Sequence, residues 1–146
     1  MANPATLPNI RNITISSRIG SGSSTLAKHL AEILHWQLLN GGDLFREFSK
    51  DHGYANKRPD DFDLAYEKKV EGMLRDEQHQ IIESHLSGFT AQGVGEVFKI
   101  LVVCEDLNGE DKTDIRIDRL VNRDHSSVED AKREVLEREH QNLEKW

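Results

Sequence analysis

Residues 13–34 read ITISSRIGSGSSTLAKHLAEIL, and the rest of the chain is organised around them. Ile13-Thr14-Ile15 is a β-branched run suited to a buried strand. Ser16 to Ser23 is a loop of small residues, in which Gly20 and Gly22 can take backbone angles that other residues avoid. Leu26, Leu30, Ile33 and Leu34 then recur with helical spacing. A strand, a glycine loop and a helix in this order make a cradle for an anion, because the loop N–H groups and the positive helix N-terminus converge. The phosphate-loop pattern G-x-x-x-x-G-K-[ST] falls on Ser17 to Ser24 and matches at Gly22 and Ser24. Ser17 stands at the first glycine and Ser23 at the lysine. That lysine brings positive charge to the phosphates. A serine hydroxyl offers a neutral hydrogen bond, and charge-assisted bonds are roughly twice as strong. Arg18, second in the loop, is the nearest cation that could replace it. The plain alternative is an ordinary tight turn between strand and helix.

Composition narrows the class. A chain of 146 residues suggests one domain with a real core, and 36% hydrophobic with 31% charged residues is polar but globular. A net charge of −7 argues against general nucleic-acid binding while leaving room for a local cationic pocket. The single cysteine, Cys104, permits no intrachain disulfide and fits a reducing, cytoplasmic location. In its apolar run it reads as a buried, inert thiol. No stretch approaches the ~20 apolar residues of a membrane helix. The opening MANPATLPNIRN lacks a signal-peptide core, so residues 1–11 read as a loose lead-in. The histidine pairs His29/His35 and His79/His85 lack the i, i+4 spacing of a zinc pair on a helix, and with one cysteine no transition-metal site is expected.

Downstream, Trp36 to Leu39 is a short strand and Asn40-Gly41-Gly42 a turn. Asp43 is expected to cap a helix over Leu44 to Lys50 that carries Arg46, with His52-Gly53 closing it and a polar loop over Tyr54 to Arg58. Pro59-Asp60-Asp61 opens a helix running to about His79, with Phe62, Tyr66, Val70, Met73 and Leu74 as its apolar stripe. Ile81 to Leu86 is a third strand, and Gly88 with Gln92 to Gly95 a flexible connection. Phe98 to Cys104 is near-continuously apolar and fits the centre of a parallel sheet. Glu105 to Thr113 is an acidic loop. In the helix Asp114 to Arg123, Arg116, Arg119 and Arg123 share one face, with Ile117, Leu120 and Val121 on the other. Surface pairing with Asp114 and Asp118 would be worth only ~0–1 kcal/mol, a weak reason to keep three arginines there. Ser126 with Glu129 forms a capping box for a last helix, whose stripe is Val128, Ala131, Val135, Leu136, Leu143 and Trp146. Strands alternating with helices give an α/β fold with a central parallel sheet, whose ligands bind outside the carboxyl ends of the strands. The first loop, Asp43, Glu83 and His85 are expected at that edge.

Four stretches in order, ITISSRIGSGSSTLAKHLAEIL, GGDLFREFSKDHG, IIESHLSGF and IRIDRLVNRD with the helix ending EREHQNLEKW, resemble the cytidylate kinase-like P-loop nucleoside monophosphate kinases. The resemblance covers most of the chain. It implies a P-loop NTPase three-layer fold in one domain, with a nucleoside-monophosphate-binding region over 41–80 and a lid over 105–125. The family's final strand and helix have no counterpart here, which suggests a truncated chain. The implied reaction moves the γ-phosphate of magnesium-bound ATP to CMP or dCMP. Gly20, Ser21, Gly22, Ser23, Ser24 and Thr25 fall on the phosphate loop, with Ser24 where a hydroxyl meets Mg2+. Arg46 falls on the arginine that grips the acceptor's phosphate, with Asp43 on the same turn. Glu83 falls on the acidic residue that supports the metal and its waters. Arg116, Arg119 and Arg123 fall on the lid, and Arg133 and Arg138 on the next helix, where further phosphate-contacting arginines occur. His85 stands where relatives often carry arginine, and Ser23 where they carry lysine. The implied partners are small-molecule nucleotides, with no nucleic acid and no membrane, and a monomer is expected. Two other readings stay open: a nucleotide-binding module without turnover, and a kinase of the same fold acting on a non-nucleotide.

Overall fold

The structure, a computed structural model, describes residues 2–51 and 60–145. Among the described residues ten elements follow one another: β1 (Asn12–Ser17), α1 (Ser23–Leu34), β2 (Gln37–Asn40), α2 (Gly41–Asp51), α3 (Asp60–Asp76), β3 (Gln80–Glu83), α4 (Ser87–Thr90), β4 (Val97–Val102), α5 (Thr113–Asp124) and α6 (Val128–Lys145). They form an α/β fold around a four-stranded sheet in the order β2-β3-β1-β4. The chain packs as two compact units, Met1–Ser16 with Ser24–Leu101, and Ser17–Ser23 with Val102–Trp146.

In the first unit β3 pairs parallel with both β1 and β2, with Ile15 and Asn40 both aligned on Glu83. Ile13, Ile15, Ile81 and Ile82 are buried, as near-continuous apolar strands of a parallel sheet require. Val70 and Leu74 of α3 pack with Ile82, Ala91 and Val94, so these two residues of the expected stripe are core, with Tyr66 half-buried against them, while the Phe62 side chain lies outside the described residues. Buried Asn12 ties the start of β1 to its neighbours: its Nδ2 donates to Leu74 O and Glu77 O, and its Oδ1 accepts from Gln80 N. α3 ends at Asp76, three residues short of His79, which takes a left-handed backbone just before β3 begins at Gln80.

Several expectations shift. The Phe98 run is β4, at the end of the strand order rather than the centre, and Phe98 and Leu101 are 50% and 70% exposed. Apolar content alone does not separate a two-sided strand from one with an open face. β2 begins after Trp36, which is buried with its indole N–H donated to Ala5 O. Ala5 N–H in turn donates to Leu34 O, so part of the lead-in is tied down. Part of the flexible connection, at Gly88, lies inside the short α4. His52 to Pro59, which include the expected loop, and Trp146 lie outside the described residues.

In the second unit, Ile19, Ile117, Leu120, Ala131 and Val135 form the core between the loop, α5 and α6. Of the stripe expected on α6, Ala131 and Val135 are buried, while Leu136 and Leu143 are exposed. The α6 cap is Ser127, whose Oγ accepts from Asp130 N at 3.1 Å, one residue later than the Ser126 box. Cys104 is half-buried rather than buried.

Candidate active site

The loop in the second unit is built from the backbone outward. Gly20 and Gly22 both take positive φ, +78° and +94°. At Gly20 a Cβ would also lie 2.6 Å from Arg116 O, so only glycine fits there. Ser17, Ser21 and Ser23 are buried. Ser17 Oγ donates to Ser23 Oγ at 2.8 Å, which joins across the loop the two positions that depart from the phosphate-loop pattern. α1 begins at Ser23, so the loop ends in helix N-terminal N–H groups, and Ser24 and Thr25 lie exposed in that first turn.

α5 braces this loop. Arg116 Nε donates to Ile19 O at 2.9 Å, and Arg119 Nη1 donates to Gly20 O at 3.2 Å. Arg116 is fully buried, and its Nη1 meets Asp111 at 2.9 Å and Glu139 at 2.8 Å. The shared arginine face therefore needs correction. Arg116 points inward with Ile117 and Leu120, whereas Arg119 and Arg123 are exposed. Its partners are Asp111 and Glu139 rather than Asp114 and Asp118. Burial alone would push Asp111 up, but the Thr113 hydroxyl and the Arg116 guanidinium, helped by Arg18, hold its carboxyl below the usual range. Arg18 is exposed and 3.8 Å from Asp111. Arg123 pairs with Asp124, Arg133 with Asp130 and Arg138 with Glu134.

In the first unit the carboxyl ends of β2 and β3 carry the second cluster. The Asn40 side chain, not Asp43, caps α2: its Oδ1 accepts from Asp43 N at 3.1 Å. The helix consequently starts at Gly41, inside the expected turn. Asn40 Nδ2 donates to Glu83 Oε2 at 2.8 Å. Gly41 lies so close to Ser84 Cβ that no side chain fits, and its carbonyl accepts from Tyr66 OH at 2.8 Å. Burial, then the charge of Glu67, pushes the Tyr66 phenol up to about 12. Burial, then the charge of Asp63, pushes Glu67 up to about 6. Arg46 is exposed one turn into α2 and paired with Asp43. β3 stops at Glu83, so His85 lies in the bend after it rather than in the strand. Ser87 Oγ donates to Ile15 O, and Ser16 Oγ accepts from Gly88 N, so the chain after β3 is fastened beside the end of β1.

Asn40, Tyr66, Asp111 and Glu139 were missed as contributors. Asn40 had a readable signal: an asparagine with an acid three residues on, before an apolar-periodic run, is a helix start. Asp111 and Glu139 had none, since only the fold brings them to Arg116.

This strand–loop–helix arrangement on a parallel sheet is the fold of the P-loop kinases. Among solved structures, the shikimate kinase from Acinetobacter baumannii in complex with shikimate matches with a TM-score of 0.55 at 14% identity, over 88% of this chain and 75% of that one, which bears on the fold alone. A family model described as an AAA domain matches residues 19–141. The cytidylate kinase of Haloarcula marismortui is 31% identical over 133 residues, 86% of this chain and 65% of that protein. That of Pyrobaculum islandicum is 32% identical over 145 residues, 92% of this chain and 72% of that protein. The chain belongs to the cytidylate kinase-like P-loop nucleoside monophosphate kinase family. It spans 65% and 72% of the length of these two curated relatives.

Proposed function

We propose that this chain is a nucleoside monophosphate kinase that transfers the γ-phosphate of ATP to CMP or dCMP. The observation that carries the reading is the loop Ser17 to Ser24. It has two left-handed glycines, a helix starting at its end, and the Ile19 and Gly20 carbonyls engaged by Arg116 and Arg119, in a chain of this family. With the Ile19 and Gly20 carbonyls turned to α5, the loop is suited to offer N–H groups to the β- and γ-phosphates of ATP. An acceptor phosphate oxygen attacks the γ-phosphorus, the bond to the β–γ bridging oxygen breaks, and ADP leaves. Such transfer rests on positioning and charge neutralisation, so no side-chain nucleophile is required. Arg46 would hold the acceptor's phosphate, with Asp43 keeping it oriented and His85, Arg133 and Arg138 as further candidate contacts. Arg119 and Arg123 would close over the transferring group, while Arg116 acts through the loop. Ser24 and Glu83 are oxygen donors of the kind Mg2+ prefers, directly or through its waters. When bound, Mg2+ would neutralise phosphate charge. Ser23 supplies a neutral donor where a lysine is usual, and Arg18 is the cation available to supplement it. Cytoplasmic location and a monomeric state belong to the same reading.

A second reading has its own observation. Ser23 is engaged by Ser17 and Arg18 is shared with Asp111, so the loop can bind nucleotide with too little charge for turnover. A coupled ADP-release assay with magnesium-ATP and CMP, dCMP, UMP, AMP, shikimate or no acceptor separates the possibilities. Turnover that depends on CMP or dCMP is expected. Nucleotide binding without turnover establishes the silent module, and turnover with a non-nucleotide alone removes the nucleotide assignment. Arg18→Ala should weaken ATP binding far more than Lys28→Ala; equal effects would remove Arg18 from the site.

A further inference from the structure

Asn40 ends β2 and stands across from Glu83 in the register of the β2–β3 pair. Both ends of its amide are used. Nδ2 donates to Glu83 Oε2 at 2.8 Å, and Oδ1 accepts from the Asp43 N–H at 3.1 Å. An amide has distinct donor and acceptor ends, so one orientation alone serves both contacts. Turned over, its oxygen would face a carboxylate and its NH2 an N–H. A single planar group thus touches both the first turn of α2 and the Glu83 carboxylate. The same first turn is pinned twice more, by the close approach of Gly41 to Ser84 and by the Tyr66 hydroxyl on Gly41 O. Of these contacts, that of Asn40 also reaches Glu83 and so links the carboxylate to the start of α2.

We infer that Asn40 is a positioning residue, which acts through Glu83 and the first turn of α2 to keep the metal-side carboxylate and the acceptor-side helix in one geometry. This rests on the roles proposed above for Glu83 and Arg46. Asn40→Ser separates the two contacts. Serine is as good a helix cap as asparagine. Its hydroxyl sits one bond nearer the backbone than the amide nitrogen and does not reach Glu83.

The experiment compares the parent with Asn40→Ser, Glu83→Gln and the double variant, following melting temperature, kcat and the Mg2+ concentration for half-maximal rate at saturating CMP. Asn40→Ser should melt close to the parent, lose about tenfold in kcat, the size expected for a hydrogen bond to a charged group, and need several-fold more Mg2+. In the Glu83→Gln background the same substitution should change the Mg2+ requirement less than twofold. Unchanged kcat and Mg2+ requirement in Asn40→Ser overturns the inference, as does an equal loss in both backgrounds. If the parent turns over no acceptor, the kinase reading fails by itself, and the coupling is then read in the free protein. The Asn40 side-chain NH2 resonances should move in Glu83→Gln, and their staying in place overturns the inference.

Discussion

The two clusters are held by opposite means. The loop unit turns on a buried charge: Arg116, with no exposed surface, meets two carboxylates and a loop carbonyl. The sheet-edge cluster is held by mostly neutral contacts, an asparagine cap and a tyrosine on a carbonyl, while its ion pair, Arg46 with Asp43, lies exposed. A fully buried guanidinium tolerates loss of its partners poorly, because its own charge has no access to water. An exposed pair tolerates it well, because water replaces the partner. The loop that would cradle phosphate is thereby anchored to its scaffold, and the arginine that would meet a substrate remains free to change partners.

Four substitutions test this contrast, in falling order of effect. Arg116→Met should cost roughly 2–4 kcal/mol, since the buried bond to Ile19 O is lost and the half-buried Asp111 and Glu139 lose their shared cation. Urea denaturation measures it, and a loss below about 1 kcal/mol would show that the ion set is dispensable. Gly20→Ala comes next at roughly 1–3 kcal/mol, because alanine dislikes positive φ and its methyl would press on the Arg116 carbonyl. Its effect on ATP affinity, read by titration calorimetry, should exceed its effect on the melting of the sheet. Tyr66→Phe removes the single bond to Gly41 O and should cost about 1 kcal/mol. Asp43→Asn should change stability by less than ~0.5 kcal/mol. The Michaelis constant for CMP is the better readout there, and should rise if Asp43 orients Arg46.

Acid titration sharpens the same contrast. Glu67 has its folded-state pKa raised to about 6 from 4.5, so the folded protein holds that proton more tightly than the unfolded chain. The associated stability is fully present below pH 4.5 and is lost as pH rises through about 6. Glu67→Gln should flatten the stability profile across that window. Asp111 has the opposite sign. Its carboxyl is held below the usual value of 3.8, so its contribution is present above that pH and disappears as the solution is acidified further. Melting curves collected from pH 3 to 8 on parent and variant would separate the two.

The glycine loop and the first helix were legible because a glycine loop between a β-branched run and a helical repeat has a narrow set of structures. Part of the α3 stripe was legible from its helical spacing, as the burial of Val70 and Leu74 shows. The place of β4 in the strand order was not, since Phe98 to Val103 has the same composition whether its face is covered or open. The start of α2 was misplaced by the glycine pair: Gly41-Gly42 reads as a turn, yet glycine is there because Ser84 leaves no room for a side chain. Arg116 was placed with the exposed arginines because helical spacing alone cannot foresee Asp111 and Glu139 meeting it from other elements. The assignments of Arg46, Glu83 and the lid arginines came from the family pattern and stand as proposals.

Trp36 is enclosed, with its indole hydrogen-bonded to Ala5 and its ring 5.2 Å from that of His79. It is consequently an optical gauge already installed in the protein. With Trp146 replaced by phenylalanine, emission would come from this single indole. Cleavage just after Ala5 would then show as a red-shifted spectrum before any change in the circular dichroism of the sheet.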